Sequence, residues 1–249
     1  MRFLFNTWLY LDVLSSLSSG EDPCYLSVLA SSPTMSTPTS PVTDRPRNFS
    51  LQNEIDSLLG CAEDLFPLIA RMSRVANALA DRAIDKTDIP MIYEAVQVRD
   101  DLLNWIPPET TILHPSRDEH CSLDDIVKTA EVYRLTALLH LYRAFPPLGK
   151  DTSKLADQIL DGLLSIPIES GTLCIHIWPL MAAGCEHTDP FKRALTRQRF
   201  DEVSVKLKVA NVDQAIELLE KVWERRDAGD MNAGWVTLAR ERGWHLLLG

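Results

Sequence analysis

From Leu173 to Cys185 the chain is apolar almost without a break, with His176 as its one clearly polar side chain. A helix that is apolar on every side has no face to give to water, so it belongs in the middle of a protein with neighbours all around. Ala182, Ala183 and Gly184 leave room for a second backbone to come close. Such a segment needs several other elements to enclose it. A chain of 249 residues supplies them, as one large or two small domains with a sizeable core.

The enclosing elements read as helices. Only ten glycines, and many Leu, Ala, Glu and Arg residues, favour helix over sheet. Ile55, Leu58, Leu59, Ala62, Leu65, Phe66, Ile69, Met72, Ala76, Leu79 and Ala83 recur at three- and four-residue steps, the stripe of a long amphipathic helix. Pro67 predicts a kink or break within it. Asp88 and Pro90 read as the capped start of a helix carrying Ile92, Val96 and Leu103. Ser122, with Asp125 in the first turn, caps a helix that ends by Pro146-Pro147. Thr188-Asp189-Pro190 opens another. Asn211 and Gln214 read as a capping box, before a helix with Val212, Ala215, Ile216, Leu219, Val222 and Trp223 on one face. Its other face holds Glu217, Glu220, Lys221 and Glu224. Period-two alternation is nowhere sustained, and no fixed-period repeat stands out. The expected fold is all-α, a multi-helix bundle of about eight to nine helices around the 173–185 helix.

One stretch departs from this pattern. Ser31 to Pro41 is a Ser/Thr/Pro tract with little to bury, which reads as a disordered connector. Ser32, Thr37 and Ser40 each precede a proline there and are candidate phosphorylation positions, although a plain connector is the simpler reading. The expected organisation is a helix at 1–19, a Ser/Thr/Pro-rich loop or linker at 20–49, and an all-α domain at 50–249.

Charge and cysteine usage narrow the chemistry. The formal net charge is −10, the wrong sign for a segment that grips nucleic acid through clustered cations. Local basic patches are still open to the chain, such as Arg193, Arg197 and Arg199, whose plainer reading is a solvated helix face. Met1 to Phe5 resembles the opening of a secretory signal, but Asn6 and Asp12 interrupt it. No membrane span is expected, since no uninterrupted apolar stretch reaches about 18 residues. The five cysteines, Cys24, Cys61, Cys121, Cys174 and Cys185, are scattered as expected of buried thiols in a reducing compartment. No two are separated by just two residues, so they build no binuclear zinc cluster.

Several short motifs follow one another in a telling order. Tyr10–Ser18 comes first, then Leu102-Leu103-Asn104-Trp105-Ile106-Pro107 and Tyr133–Leu141. They are followed by Trp178-Pro179-Leu180, Ala183-Gly184-Cys185-Glu186, Asn211–Ala215 and Val222-Trp223-Glu224-Arg225-Arg226. That series resembles the regulatory region of the fungal zinc-cluster transcription factors. The resemblance implies a nuclear, non-catalytic domain that restrains or releases transcription by RNA polymerase II. Protein partners or a homodimer are expected, and a small-molecule effector is admitted. DNA contact and zinc are expected only in an N-terminal module that this sequence lacks, so the resemblance implies a member truncated at its N-terminus. No catalytic, cofactor-binding or metal-binding residue is assigned.

Two constellations invite other readings. Cys174-x-His176 and Cys185-x-His187 offer four soft ligands, but residues two apart on a helix point about 200° from each other. Core cysteines, with His187 at a cap or in solvent, are the plainer reading. Asp100-Asp101-Leu102-Leu103-Asn104 resembles the aspartate-rich magnesium motif of the all-α terpene synthases. The second acidic, hydroxyl-bearing helix those enzymes need is missing, since Ala215 and Leu219 stand where it would lie. The alternatives to a regulatory domain are therefore a helical protein-interaction adaptor and, more remotely, an all-α magnesium-dependent enzyme. His114, His120, His140 and His245 are isolated in sequence and select no site.

Overall fold

The computed structural model describes residues 2–31, 55–80, 88–108, 121–149 and 151–244. Those residues form ten α-helices. They are α1 (Arg2–Ser19), α2 (Cys24–Ser31), α3 (Phe66–Ala80), α4 (Ile89–Asn104), α5 (Leu123–Ala144), α6 (Thr152–Leu164), α7 (Ile177–Gly184), α8 (Pro190–Leu207), α9 (Ala210–Asp227) and α10 (Trp235–Glu241). Among the described residues the one β-type pairing is an isolated bridge between Asp56 and Gly60. The fold is all-α, with slightly more helices than expected.

Helix α7 sits at the centre. Every one of its residues is buried, and it packs against α5, α6, α8 and α9. It is shorter than the expected 173–185 helix. Gly171–Ile175 forms a 3-10 turn, and the α-helix restarts at Ile177. Pro179 is the reason: inside a continuous helix it could not donate to the Ile175 carbonyl, whereas in a first turn that donor is not needed. The freed Ile175 carbonyl accepts the Tyr133 hydroxyl at 2.6 Å instead.

Around this centre, α5 touches α3, α4, α6 and α7, while α1 packs on α3 and α10. A chain of rings runs through the core from Tyr10 to Phe66 (5.6 Å between centroids), Tyr133 (5.5 Å) and Trp178 (5.3 Å). It continues through His140 (6.5 Å) to Trp235 (5.8 Å). These spacings suit tilted and edge-on aromatic packing, and they join α1, α3, α5, α7 and α10 in one apolar body. A polar clasp ties its two ends. Arg240 of α10 donates to the Asn77 side chain (2.8 Å), which itself donates to the Ser16 and Glu21 carbonyls. Gly20, at φ +82°, ends α1 and lies flat beneath that guanidinium, where a Cβ would come within 2.8 Å of it.

Several expectations need correction. The stripe from Ile55 to Ala83 is not one helix. Residues 55–65 form turns, closed by the Asp56–Gly60 bridge with Gly60 at φ +60°, and α3 starts at Phe66 with Pro67 in its first turn. Leu59, Ala62 and Leu65 are buried nonetheless, so their spacing marked burial without helix. Cys24–Ser31 is helical within the stretch expected as loop, because Asp12 accepts from the Cys24 and Tyr25 amides (3.0 and 2.9 Å) and starts α2. Asn211 lies inside the first turn of α9, whose cap position is Val209. Asp88, Ser122 and Asp189 cap α4, α5 and α8 as expected. The proline-directed positions Ser32, Thr37 and Ser40 lie outside the described residues, as do Ala83, His114, His120 and His245.

Candidate functional sites

The C-terminal motifs converge on the end of α7. Trp223 donates its indole N–H to the Gly184 carbonyl at 2.9 Å. A Cβ on Gly184 would meet Thr196 Cγ2 at 2.7 Å and Leu219 Cδ1 at 3.1 Å, so glycine lets α8 and α9 close over this end. Two residues on, the Glu186 carboxylate takes Arg226 at 3.0 Å and Arg143 at 3.3 Å. The Glu186 and Arg226 side chains are only 8% and 4% exposed. Arg226 also donates to the Ala233 carbonyl at 2.9 Å, so the buried pair carries the further hydrogen bond that burial of charge demands. The neighbouring Arg225 meets Glu241 at the surface, where such a pair contributes little. Arg193 lies over the Trp223 ring at 5.2 Å and holds Asp227 through two bonds.

The Tyr133 motif secures the other side of α7. Beside the Tyr133–Ile175 bond, His176 Nε2 lies 3.1 Å from the Thr129 hydroxyl and 3.3 Å from that of Thr172. Burial, with Arg199 nearby, holds the His176 pKa at about 3, and burial beside Arg240 holds that of His140 at about 4. Both imidazoles are therefore neutral at physiological pH. Arg134 reaches the Leu102 carbonyl at 3.1 Å, and the Trp105 indole donates to Asp64 at 3.0 Å. The Leu102–Pro107 motif is thus the fastening of the C-terminal end of α4.

The tempting constellations come apart. Cys174 is exposed, whereas His176 beside it is buried. Cys185 is buried, and burial pushes its thiol up to about 12. His187, expected at a cap or in solvent, is instead buried, with Nδ1 3.2 Å from the Thr196 hydroxyl. Not every cysteine is buried, since Cys24 is exposed as well. Among the described residues no group of three or more His, Cys, Asp or Glu is placed to hold a metal. Asp100 bonds Arg99 and Asp101 bonds Arg71 at 2.7 Å, which commits both carboxylates to arginine. No described helix is long and apolar enough to cross a membrane.

The basic group is also committed. Arg197 pairs with Asp201 and Glu220. Arg199 is buried, not solvated: its guanidinium donates to the Leu163 and Ile166 carbonyls at 3.1 and 2.8 Å and caps the end of α6. A recess of about 370 Å³ opens between α5 and α6 beside Pro107, Val127, Leu135 and Gln158. A second, of about 280 Å³, lies at Tyr142, Pro146 and Thr152. Neither is lined by the aromatic residues Trp178, Phe200 or Trp223.

The buried Glu186–Arg226 pair and the Arg199 cap escaped sequence reasoning. One signal for Arg226 was available: it falls four residues after Val222, on the apolar stripe of α9 itself.

The motif residues Tyr133, Trp105, Gly184, Glu186, Trp223 and Arg226 thus fasten helices to one another in an all-α body. A family model, the fungal specific transcription factor domain, matches residues 1–249. The chain belongs to that family, whose role is in the regulation of transcription. No curated protein and no solved structure shows significant similarity to it.

Proposed function

We propose that the chain is the regulatory part of a fungal zinc-cluster transcription factor, acting in the nucleus on transcription by RNA polymerase II. The match to the family over residues 1–249 carries this reading. The net charge of −10 and the internal commitment of Arg193, Arg197 and Arg199 support it, since they leave DNA contact to a zinc cluster outside this sequence. No zinc is assigned to this chain. Its output passes through protein partners, and the recess between α5 and α6 is the place for a small-molecule effector, its apolar walls edged by Lys128, Glu131 and Gln158.

Fusing the chain to an unrelated DNA-binding module upstream of a reporter in a fungal nucleus tests the reading. A regulatory domain changes reporter output relative to the module alone. A stable, nuclear fusion that leaves output unchanged overturns the reading and favours the helical adaptor, for which the outward apolar faces of α1 and α4 speak.

A further inference from the structure

We infer that the Asp157 carboxylate is a proton-operated latch between α6 and the start of α8. It holds Lys192 while His187 is neutral, and turns to His187 when that ring takes up a proton, setting Lys192 free. A contested oxygen carries this inference. Lys192 Nζ lies 2.6 Å from Asp157 Oδ1, and His187 Nε2 lies 3.6 Å from the same atom. Nε2 is out of water and has no hydrogen-bond partner. A buried ring nitrogen is thus aimed at a carboxylate that it does not bind.

The hydrogen bonds around the ring fix its tautomer. Thr196 donates its hydroxyl to the Lys192 carbonyl at 2.9 Å, so toward His187 Nδ1, 3.2 Å away, it can only accept. Nδ1 therefore carries the proton, and Nε2 presents a bare lone pair. On the Nε2 side stand further acceptors, the Ala156 carbonyl and the Asp157 carboxylate. A ring with acceptors at both nitrogens is shaped for the imidazolium, which donates from both. A shift of less than about 1 Å brings Nε2–H to the length of a charge-assisted bond, about 2.8 Å. Thr196 is fully buried and its proton is spent, so the Thr196–His187–Asp157 series offers no nucleophile.

Charges face the ring from every side. On α6 the nearest is Asp157, with Asp161 beyond it beside Lys192. At the end of α7, Glu186 is held by Arg226 and Arg143. On α8, Asp189 caps the helix, while Arg193 donates to the His187 carbonyl and is tied to Asp227 of α9. Burial pushes His187 below its ordinary 6.5, Asp157 pulls it back up, and Lys192 pushes it down again. An unfolded chain therefore takes the proton first. The stability that the neutral ring contributes is complete above about pH 6.5 and falls as acid reaches the folded ring. The cover over His187 is thin, since the Asp157 and Lys192 side chains are themselves 33% and 37% exposed. Swinging Lys192 into water gives up one exposed ion pair, a small loss. His140 and His176 have arginines as their charged neighbours, so acid offers them no new partner. The inference rests on this corner alone and does not need the regulatory reading.

Nitrogen-15 spectra of the histidine rings, with side-chain relaxation of Lys192, test it on the full chain from about pH 7.5 down to about pH 5. The His187 signals are those missing from His187→Gln. The ring should start as the Nδ1–H tautomer and titrate below the ordinary value. As it does so, the Lys192 side chain should gain the mobility of a free lysine. In His187→Gln, with unchanged helical circular dichroism, Lys192 should stay held throughout. Asp157→Asn should lower the His187 midpoint, and Lys192→Gln should raise it. An Nε2–H tautomer, a ring that stays neutral to the acid limit, or a Lys192 that loosens equally in His187→Gln overturns the inference. Should His187→Gln misfold, the two half-exposed partners decide: midpoints that fail to move in opposite directions in Asp157→Asn and Lys192→Gln overturn it.

Discussion

Helices α4 and α9 are nearly equal in length, 16 and 18 residues, and both carry apolar side chains at helical spacing, yet they are held in different ways. In α9, Val212, Ala215, Leu218, Leu219 and Val222 are buried, Glu217 and Glu224 face water, and Trp223 and Arg226 fasten the last turns to the end of α7. In α4 the buried residues are only Ala95, Val98 and Leu102. Ile89, Tyr93 and Leu103, by contrast, are all more than half exposed. Glu94 and Asp101 pair with Arg74 and Arg71 of α3 beside that stripe. The apolar face of α9 is wholly committed to the core, whereas α4 buries a narrow stripe and leaves a second apolar face in water. The centre of the molecule should therefore be far less tolerant of change than α4.

The sharpest test of that contrast is Trp178→Ala. Trp178 is fully buried between Tyr133 and His140, and emptying such a site costs about 3–5 kcal/mol. Urea denaturation should show that loss as a lower midpoint. Trp178→Phe should cost much less, since the ring contacts persist and the indole N–H, which has no partner in the core, is removed. An alanine variant as stable as the parent would mean that α7 is not the enclosed centre.

Acid provides the second test, because the centre holds buried histidines and α4 has none. The folded state keeps the His140 pKa at about 4, against an ordinary 6.5. Between those values the unfolded chain binds the proton and the folded one does not. The stabilisation is thus complete above pH 6.5, falls as pH drops, and is gone by about pH 4. The loss from His140 alone is on the order of 3 kcal/mol. His176, held at about 3, continues the trend to lower pH. His140→Gln should flatten the stability profile between pH 6.5 and 4, as read by thermal unfolding across that range. A profile of unchanged slope would place His140 outside the protected core.

The same contrast explains what could be seen in the sequence. The central segment was legible because apolarity on every side has one physical outcome. Asp88, Ser122 and Asp189 were legible because a cap is local chemistry. The stripe through Ile55–Leu65 misled, since a three-and-four rhythm records burial, and both Gly60 and Pro67 favour turns over a continuous helix. The helix carrying Ile92, Val96 and Leu103 was legible from Asp88 and Pro90, but not that Ala95, Val98 and Leu102 are its buried residues. Long-range polar fastenings, such as Asn77 to Arg240 across 163 positions, leave no periodic trace at all.

The smallest effect falls on α4 and is the most discriminating. Leu102 and Leu103 are neighbours with the same side chain, one fully buried and the other 51% exposed. Leu102→Ala opens a cavity against α3 and α5 and should cost about 2–4 kcal/mol. Leu103→Ala trims a side chain that stands half in water and should change stability by no more than about 0.5 kcal/mol. The two variants differ by one position, so helix propensity and unfolded-state effects nearly cancel between them. If chemical denaturation ranks them the other way, the apolar stripe of Ile92, Val96 and Leu103 faces the core after all.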